Sequence, residues 1–253
     1  MAELMNYPIP MAVLAFLALW IAEQVGATAR KKREDMNEEE REDFGVILAS
    51  TLTLLGLIIG FSFSMAISRY DQRKNLEEEE ANAIGTEYLR ADLLPAANAE
   101  KVRGLLKSYL DQRILFYKTR WSRDLVPVNV RTAELQGELW NAVKGPAETE
   151  HTAVEALTLA GMNDVLNSQG YTQAAWWNRI PAPAWGLMWL IAICCNLMIG
   201  YYVRPAKRHW VRFVVMPLVV AVSFLLIADI DSPRGGIIRV QPRNLVSLTG
   251  TLK

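Results

Sequence analysis

The stretch that decides the fold is residues 56–76, GLIIGFSFSMAISRYDQRKNL. An apolar segment runs into a charged one with no Gly or Pro between Ile67 and Leu76 to stop a helix. One helix is therefore expected to leave a bilayer at Arg69 and to continue into solvent through Tyr70 and Asp71. Gly56, Gly60, Ser64 and Ser68 recur every fourth residue, which places them on one helical face. In lipid such a stripe lets a second helix approach closely. Leu57, Phe61 and Met65 lie on an adjacent face.

Working outward, the apolar residues of this 253-residue chain fall in blocks. A spanning helix needs about 20 mostly apolar residues. Ile9–Ala22 with its uncharged extension Gln24–Ala29, Phe44–Ser68, Ala184–Val203 and Val211–Ala228 meet that need. The first block lacks the basic start of a signal peptide, so it reads as a span although Ala27-Thr28-Ala29 has the form of a cleavage site.

Arg30-Lys31-Lys32-Arg33 and an acidic run through Asp43 join the first two blocks, and Tyr201–Trp210, turning at Pro205, joins the last two. The expected architecture is all-α: four transmembrane helices in two hairpins, with a helical soluble domain inserted between them and continuous with the second span. The boundaries are 1–68 for the first hairpin, 69–183 for the inserted domain, 184–230 for the second hairpin and 231–253 for a tail. Within the inserted domain, Pro95 ends a helix from Tyr70, Asn98 caps the next, Gly145 closes a helix over Arg131–Lys144, and Pro146 opens one that stops at Gly170. Trp176, Trp177, Trp185 and Trp189 mark an interfacial aromatic belt.

Net charge is zero, which implies no general attraction to nucleic acid. Arg204, Lys207 and Arg208 in the second connector match the basic run in the first. By the positive-inside rule both connectors face the cytoplasm. Arg69, Arg73, Lys74 and Arg179 flank spans on the opposite side. His151 and His209 lack a second ligand at metal-binding spacing, and Cys194 and Cys195 are adjacent residues of an apolar helix. No nucleophile elbow or triad context is present, so neither enzyme chemistry, a metal nor a cofactor is expected.

Glu77, Glu78, Glu79 and Glu80 admit two readings. They form a solvated helix with pairs Arg73–Glu77 and Lys74–Glu78, or in an oligomer they ring a vestibule mouth and select cations. Asp229 and Asp231, ahead of Ser-Pro-Arg-Gly-Gly, cap a turn, pair with Arg234, or hold a cation weakly.

The run Leu55–Pro95, with IGFSFSMAISRYD and EANAIGTEYLRADLLP, resembles the bacterial bestrophin-like family, as does DIDSPRGG from Asp229 onward. Gly60-Phe61 followed by Ser68-Arg69-Tyr70 is similar to the second span of true bestrophins, which are pentameric anion channels with a cytosolic helical domain. The resemblance implies a homo-oligomeric ion channel of a bacterial inner membrane, with Phe61 in the pore neck and Leu57 and Thr53 as the next rings. Those two depart from the aromatic and aliphatic pair of the family, and the tail lacks the acidic calcium clasp of animal members. The resemblance places the large domain in the cytosol, whereas connector charge places it outside. The rival function is a non-channel membrane scaffold whose helical domain binds a partner.

Overall fold

The computed structural model describes residues 7–31, 36–150, 153–203 and 212–252. These form eight α-helices: α1 Pro8–Lys31, α2 Glu38–Arg90, α3 Ala96–Lys118, α4 Leu125–Glu150, α5 Ala153–Trp177, α6 Ala182–Tyr202, α7 Arg212–Asp231 and α8 Arg243–Thr251. Short 3-10 turns follow α2 at Ala91–Leu93 and precede α4 at Ser122–Asp124. Among the described residues, four helical stretches are long and apolar enough to cross a membrane, in α1, α2, α6 and α7. The chain divides into two compact units: 1–68 with 179–238, and 69–178 with 239–253.

In the first unit, α1 packs on α6 and α7. Met11, Ala15, Leu19 and Ala22 form its buried stripe, spaced four, four and three apart as a helical face requires. Trp185, Met188, Ala192 and Cys195 of α6 and Val220, Phe224 and Ile227 of α7 are the other buried faces. Small residues do bring two spans together here, but they are Gly26 and Gly200. A methyl on Gly26 would overlap the Leu197 carbonyl, and one on Gly200 would overlap the Glu23 carbonyl. The α6 C-terminus is capped across the bundle, where Arg30 Nη1 donates to the carbonyls of Tyr201 and Tyr202 at 3.1 and 3.0 Å.

The acidic run 38–43 is helix rather than connector. Asn37 and Glu40 close a capping box: Glu40 N–H donates to Asn37 Oδ1 at 2.7 Å, and Asn37 N–H donates to Glu40 Oε2 at 3.1 Å. Glu38, Glu39 and Glu40 occupy the first turn of α2, where negative charge suits the helix dipole. Arg33, Arg204, Pro205, Lys207, Arg208, His151 and His209 lie outside the described residues.

The second unit has a core in which Ile84 and Tyr88 of α2 meet Val102, Leu106, Tyr109 and Phe116 of α3, with Leu135, Leu139, Met162, Val165 and Leu245 from the remaining helices. Pro95 acts as expected: Leu94 before it is extended (φ −88°, ψ 158°), as a pre-proline residue prefers. Three other expected boundaries fail. The cap position of α3 is Pro95, not Asn98. α4 continues through Gly145 and Pro146 to Glu150, and α5 continues through Gly170 to Trp177. Neither glycine takes the left-handed conformation that a terminating glycine uses. A mid-helix glycine costs about 1 kcal/mol, and burying one large apolar side chain contributes about 1.5–3 kcal/mol. The fully buried Thr172 and nearly buried Trp176 lie beyond Gly170, so packing decides.

Candidate functional site

α2 is a single helix of 53 residues, and its apolar part carries the residues singled out above. Within the chain that part buries only a narrow stripe: Leu48, Leu55, Ser62 and Ala66, spaced seven, seven and four apart. The expected pore face lies outside this stripe. Phe61 is 64% exposed and Leu57 53% exposed, and Thr53 is exposed as well. Gly56, Gly60, Ser64 and Ser68 are also exposed, and a methyl built on either glycine meets nothing within 4 Å. At those two glycines the stripe packs against none of the described residues.

Three hydroxyls of this segment are satisfied locally. Ser50, Thr51 and Thr53 hydroxyls donate to the carbonyls of Val46, Ile47 and Ala49 at 2.9, 2.7 and 2.9 Å. In a bilayer that removes the cost of an unpaired donor. At the exit, Arg69 is half-buried, Tyr70 packs on the core of the second unit, and Asp71 is exposed.

The four acids divide by helical phase, which corrects the vestibule reading for two of them. Glu78 and Glu79 are exposed, whereas Glu77 and Glu80 are buried and committed to structural partners. Glu77 Oε1 accepts the backbone N–H groups of Asn244 and Leu245 at 2.9 and 3.0 Å, and its Oε2 accepts from Asn244 Nδ2 at 2.7 Å. It thus caps the start of α8, whose own cap position is Pro242 and supplies no side-chain bond. Glu80 pairs with Arg113 Nε and accepts from Tyr117 Oη at 3.2 Å and Thr172 Oγ1 at 3.3 Å. One carboxylate so ties α2 to α3 and α5. Burial lowers the Arg113 pKa and the Glu80 charge raises it, and the charge prevails, so the guanidinium is held above its ordinary value. Burial, then the Glu80 charge, push the Tyr117 hydroxyl up.

Asp229 and Asp231 are buried and form the turn that ends α7. Asp229 accepts the N–H groups of Ile237 and Ile238 at 2.7 and 2.8 Å. A side chain at Gly236 would overlap the Asp229 backbone, so this turn needs glycine there. Asp231 accepts the Ile180 N–H at 3.1 Å and lies 3.5 Å from Arg179 Nε. Both carboxylates hold backbone in place. Among the described residues, no group of three His, Cys, Asp or Glu is placed to hold a metal.

Sequence reasoning missed two buried acids, Glu23 in α1 and Glu87 in α2, whose carboxylate oxygens accept no hydrogen bond from any described residue. Two of the four tryptophans expected in the aromatic belt are buried within the chain. Trp176 stacks edge-on with Phe116 and Tyr117 at 5.0 and 5.5 Å in the core of the second unit, and Trp185 packs on Phe224 at 5.9 Å. Trp177 is exposed.

The model of the bestrophin-like domain matches residues 10–245. The chain belongs to the bestrophin-like family. A crystal structure of a bacterial bestrophin homolog from Klebsiella pneumoniae is similar over 96% of this chain and 98% of that one, at 16% identity and a TM-score of 0.61. A point variant of that homolog covers 94% of this chain and 98% of its own, at 15% identity and a TM-score of 0.60. A crystal structure described as a membrane protein variant gives a TM-score of 0.62 at 14% identity, over 94% and 98% of the two chains. A comparison with curated proteins gives no match. At these identities the solved structures establish a shared all-helical fold with four candidate spans.

Proposed function

We propose that this bestrophin-like protein is a homo-oligomeric ion channel of a bacterial inner membrane, with the apolar part of α2 lining the pore. Phe61 forms the neck, with Leu57 and Thr53 as adjoining rings. Copies pack through Gly56, Gly60, Ser64 and Ser68. By family resemblance the assembly is a pentamer.

The observation that carries this reading is the exposed glycine face beside an exposed bulky face on one helix. Within a helix, glycine costs about 1 kcal/mol per position relative to alanine. Close approach of a neighbouring helix recovers that cost through packing. Assembly on the small face turns Leu57, Phe61 and Met65 towards an axis, where apolar rings gate by dewetting. Glu78 and Glu79 remain available to the vestibule, while Glu77 and Glu80 do not.

Reconstitution in liposomes tests the proposal through halide and potassium flux. Wild type should exceed protein-free vesicles, and Phe61→Ala should conduct more by widening a hydrophobic constriction. Background flux from both proteins across voltage and pH contradicts it. Native mass spectrometry in mild detergent separates the scaffold alternative, because a stable monomer cannot enclose a pore of this kind.

A further inference from the structure

Glu87 lies outside the apolar part of α2 and has no part in the proposed pore. Its side chain is fully buried, and neither oxygen accepts a hydrogen bond from a described residue. It is seated on α5 at Gly161, where a methyl would overlap both Glu87 Oε2 and Arg90 Nη1. Thr158, one turn earlier on the same face of α5, is fully buried with its hydroxyl likewise unpartnered. The α2–α5 seam therefore contains a buried carboxyl and, one turn away on α5, a buried hydroxyl, neither hydrogen-bonded to a described residue. A buried carboxylate that accepts no hydrogen bond is costly, whereas a neutral carboxyl is much less so.

We propose that Glu87 is a proton-binding group that fastens α5 to α2 while neutral, and that its ionisation loosens this seam and makes the helical domain responsive to pH. Arg90, one turn onward along α2, and Asp164, from α5, are the charged groups that act on it. Asp92 in the following 3-10 turn is engaged by Arg103 of α3. Arg103 and Lys107 of α3 lie over the Tyr88 ring at 5.5 and 5.7 Å, and Glu155 is buried on α5. Burial pushes the Glu87 carboxyl up from 4.5 to about 8, against the lowering by Arg90 and with a further rise from Asp164.

Below about pH 4.5 the carboxyl is neutral in docked and undocked states alike, and its full contribution is present. As pH rises, the undocked state ionises first, so docking weakens until the docked group itself ionises near pH 8, and no further loss follows.

Hydrogen exchange across Ala153–Trp177 in the detergent-solubilised full chain, corrected for intrinsic exchange, tests this. Protection in wild type should fall by up to about tenfold per pH unit on rising towards pH 8, and Glu87→Gln should be flat. A flat wild type, or an equal slope in Glu87→Gln, overturns the proposal. Asp164→Asn changes an exposed side chain and provides a second arm should Glu87→Gln fail to fold. Removing its charge should move the wild-type midpoint to lower pH, and an unmoved midpoint overturns the proposal.

Discussion

At the scale of single residues, a few buried charges carry much of the structural specificity. Glu80→Ala leaves Arg113 buried without its counter-ion, and such a change costs about 3–5 kcal/mol. The expected outcome is a large fall in the thermal unfolding temperature in detergent, while Glu78→Ala and Glu79→Ala, at exposed positions, leave it nearly unchanged. Equal behaviour of all three variants would contradict the assignment of Glu80 as the tie between α2, α3 and α5. Glu23 is a contrasting case, since its oxygens accept no hydrogen bond from a described residue. Replacing an unsatisfied buried polar group with an apolar one of similar shape is neutral or stabilising. Glu23→Met should therefore keep or raise the unfolding temperature, and a clear fall would show a partner for this carboxyl. The four-acid run shows what the sequence could and could not tell. Spacing alone reveals that Glu77–Glu80 spread around a helix, but the identity of the buried two depends on α3, α5 and α8, up to 168 residues away in the chain.

At the scale of elements, local signals succeed where the chain decides locally. Pro95 ended a helix because its predecessor must be extended, and the Asn37–Glu40 box was readable in principle from its three-residue spacing. Gly170 did not stop α5, because the packing of residues such as Trp176 beyond it outweighs a propensity difference of about 1 kcal/mol, and α4 runs on through Gly145 and Pro146. The Gly26–Gly200 crossing was hidden for another reason: each glycine is isolated in its own block, and only pairing of α1 with α6 gives it meaning. Gly200→Leu should separate that crossing, since even a methyl meets backbone there. Overpacking typically costs about 1–3 kcal/mol. The unfolding temperature should drop accordingly, whereas Gly56→Ala should leave the isolated chain's fold intact and weaken assembly instead, measured by native mass spectrometry. Glu77→Ala should release the start of α8, with loss of about 0.5–2 kcal/mol, seen as faster hydrogen exchange over Arg243–Thr251.

At the scale of the whole molecule, the sequence conveyed the class of architecture well. Four apolar blocks, no sustained strand alternation and an unbroken path from Ile67 to Leu76 specify an all-helical membrane protein with a long second helix. They cannot specify which surface of that helix meets its own chain, because small, bulky and buried positions interleave along it. Leu48, Leu55, Ser62 and Ala66 turn out to be the self-contacting stripe, and the glycine and phenylalanine faces stay exposed. An exposed small face beside an exposed aromatic face is the reason for placing the pore on α2. The most direct measurement is ion flux through Phe61→Cys in liposomes before and after a membrane-impermeant thiol reagent, with wild type as the control for Cys194 and Cys195. The account predicts that the reagent blocks Phe61→Cys flux and leaves wild-type flux unchanged. Flux through Phe61→Cys that the reagent does not alter would contradict a pore lined by this face of α2.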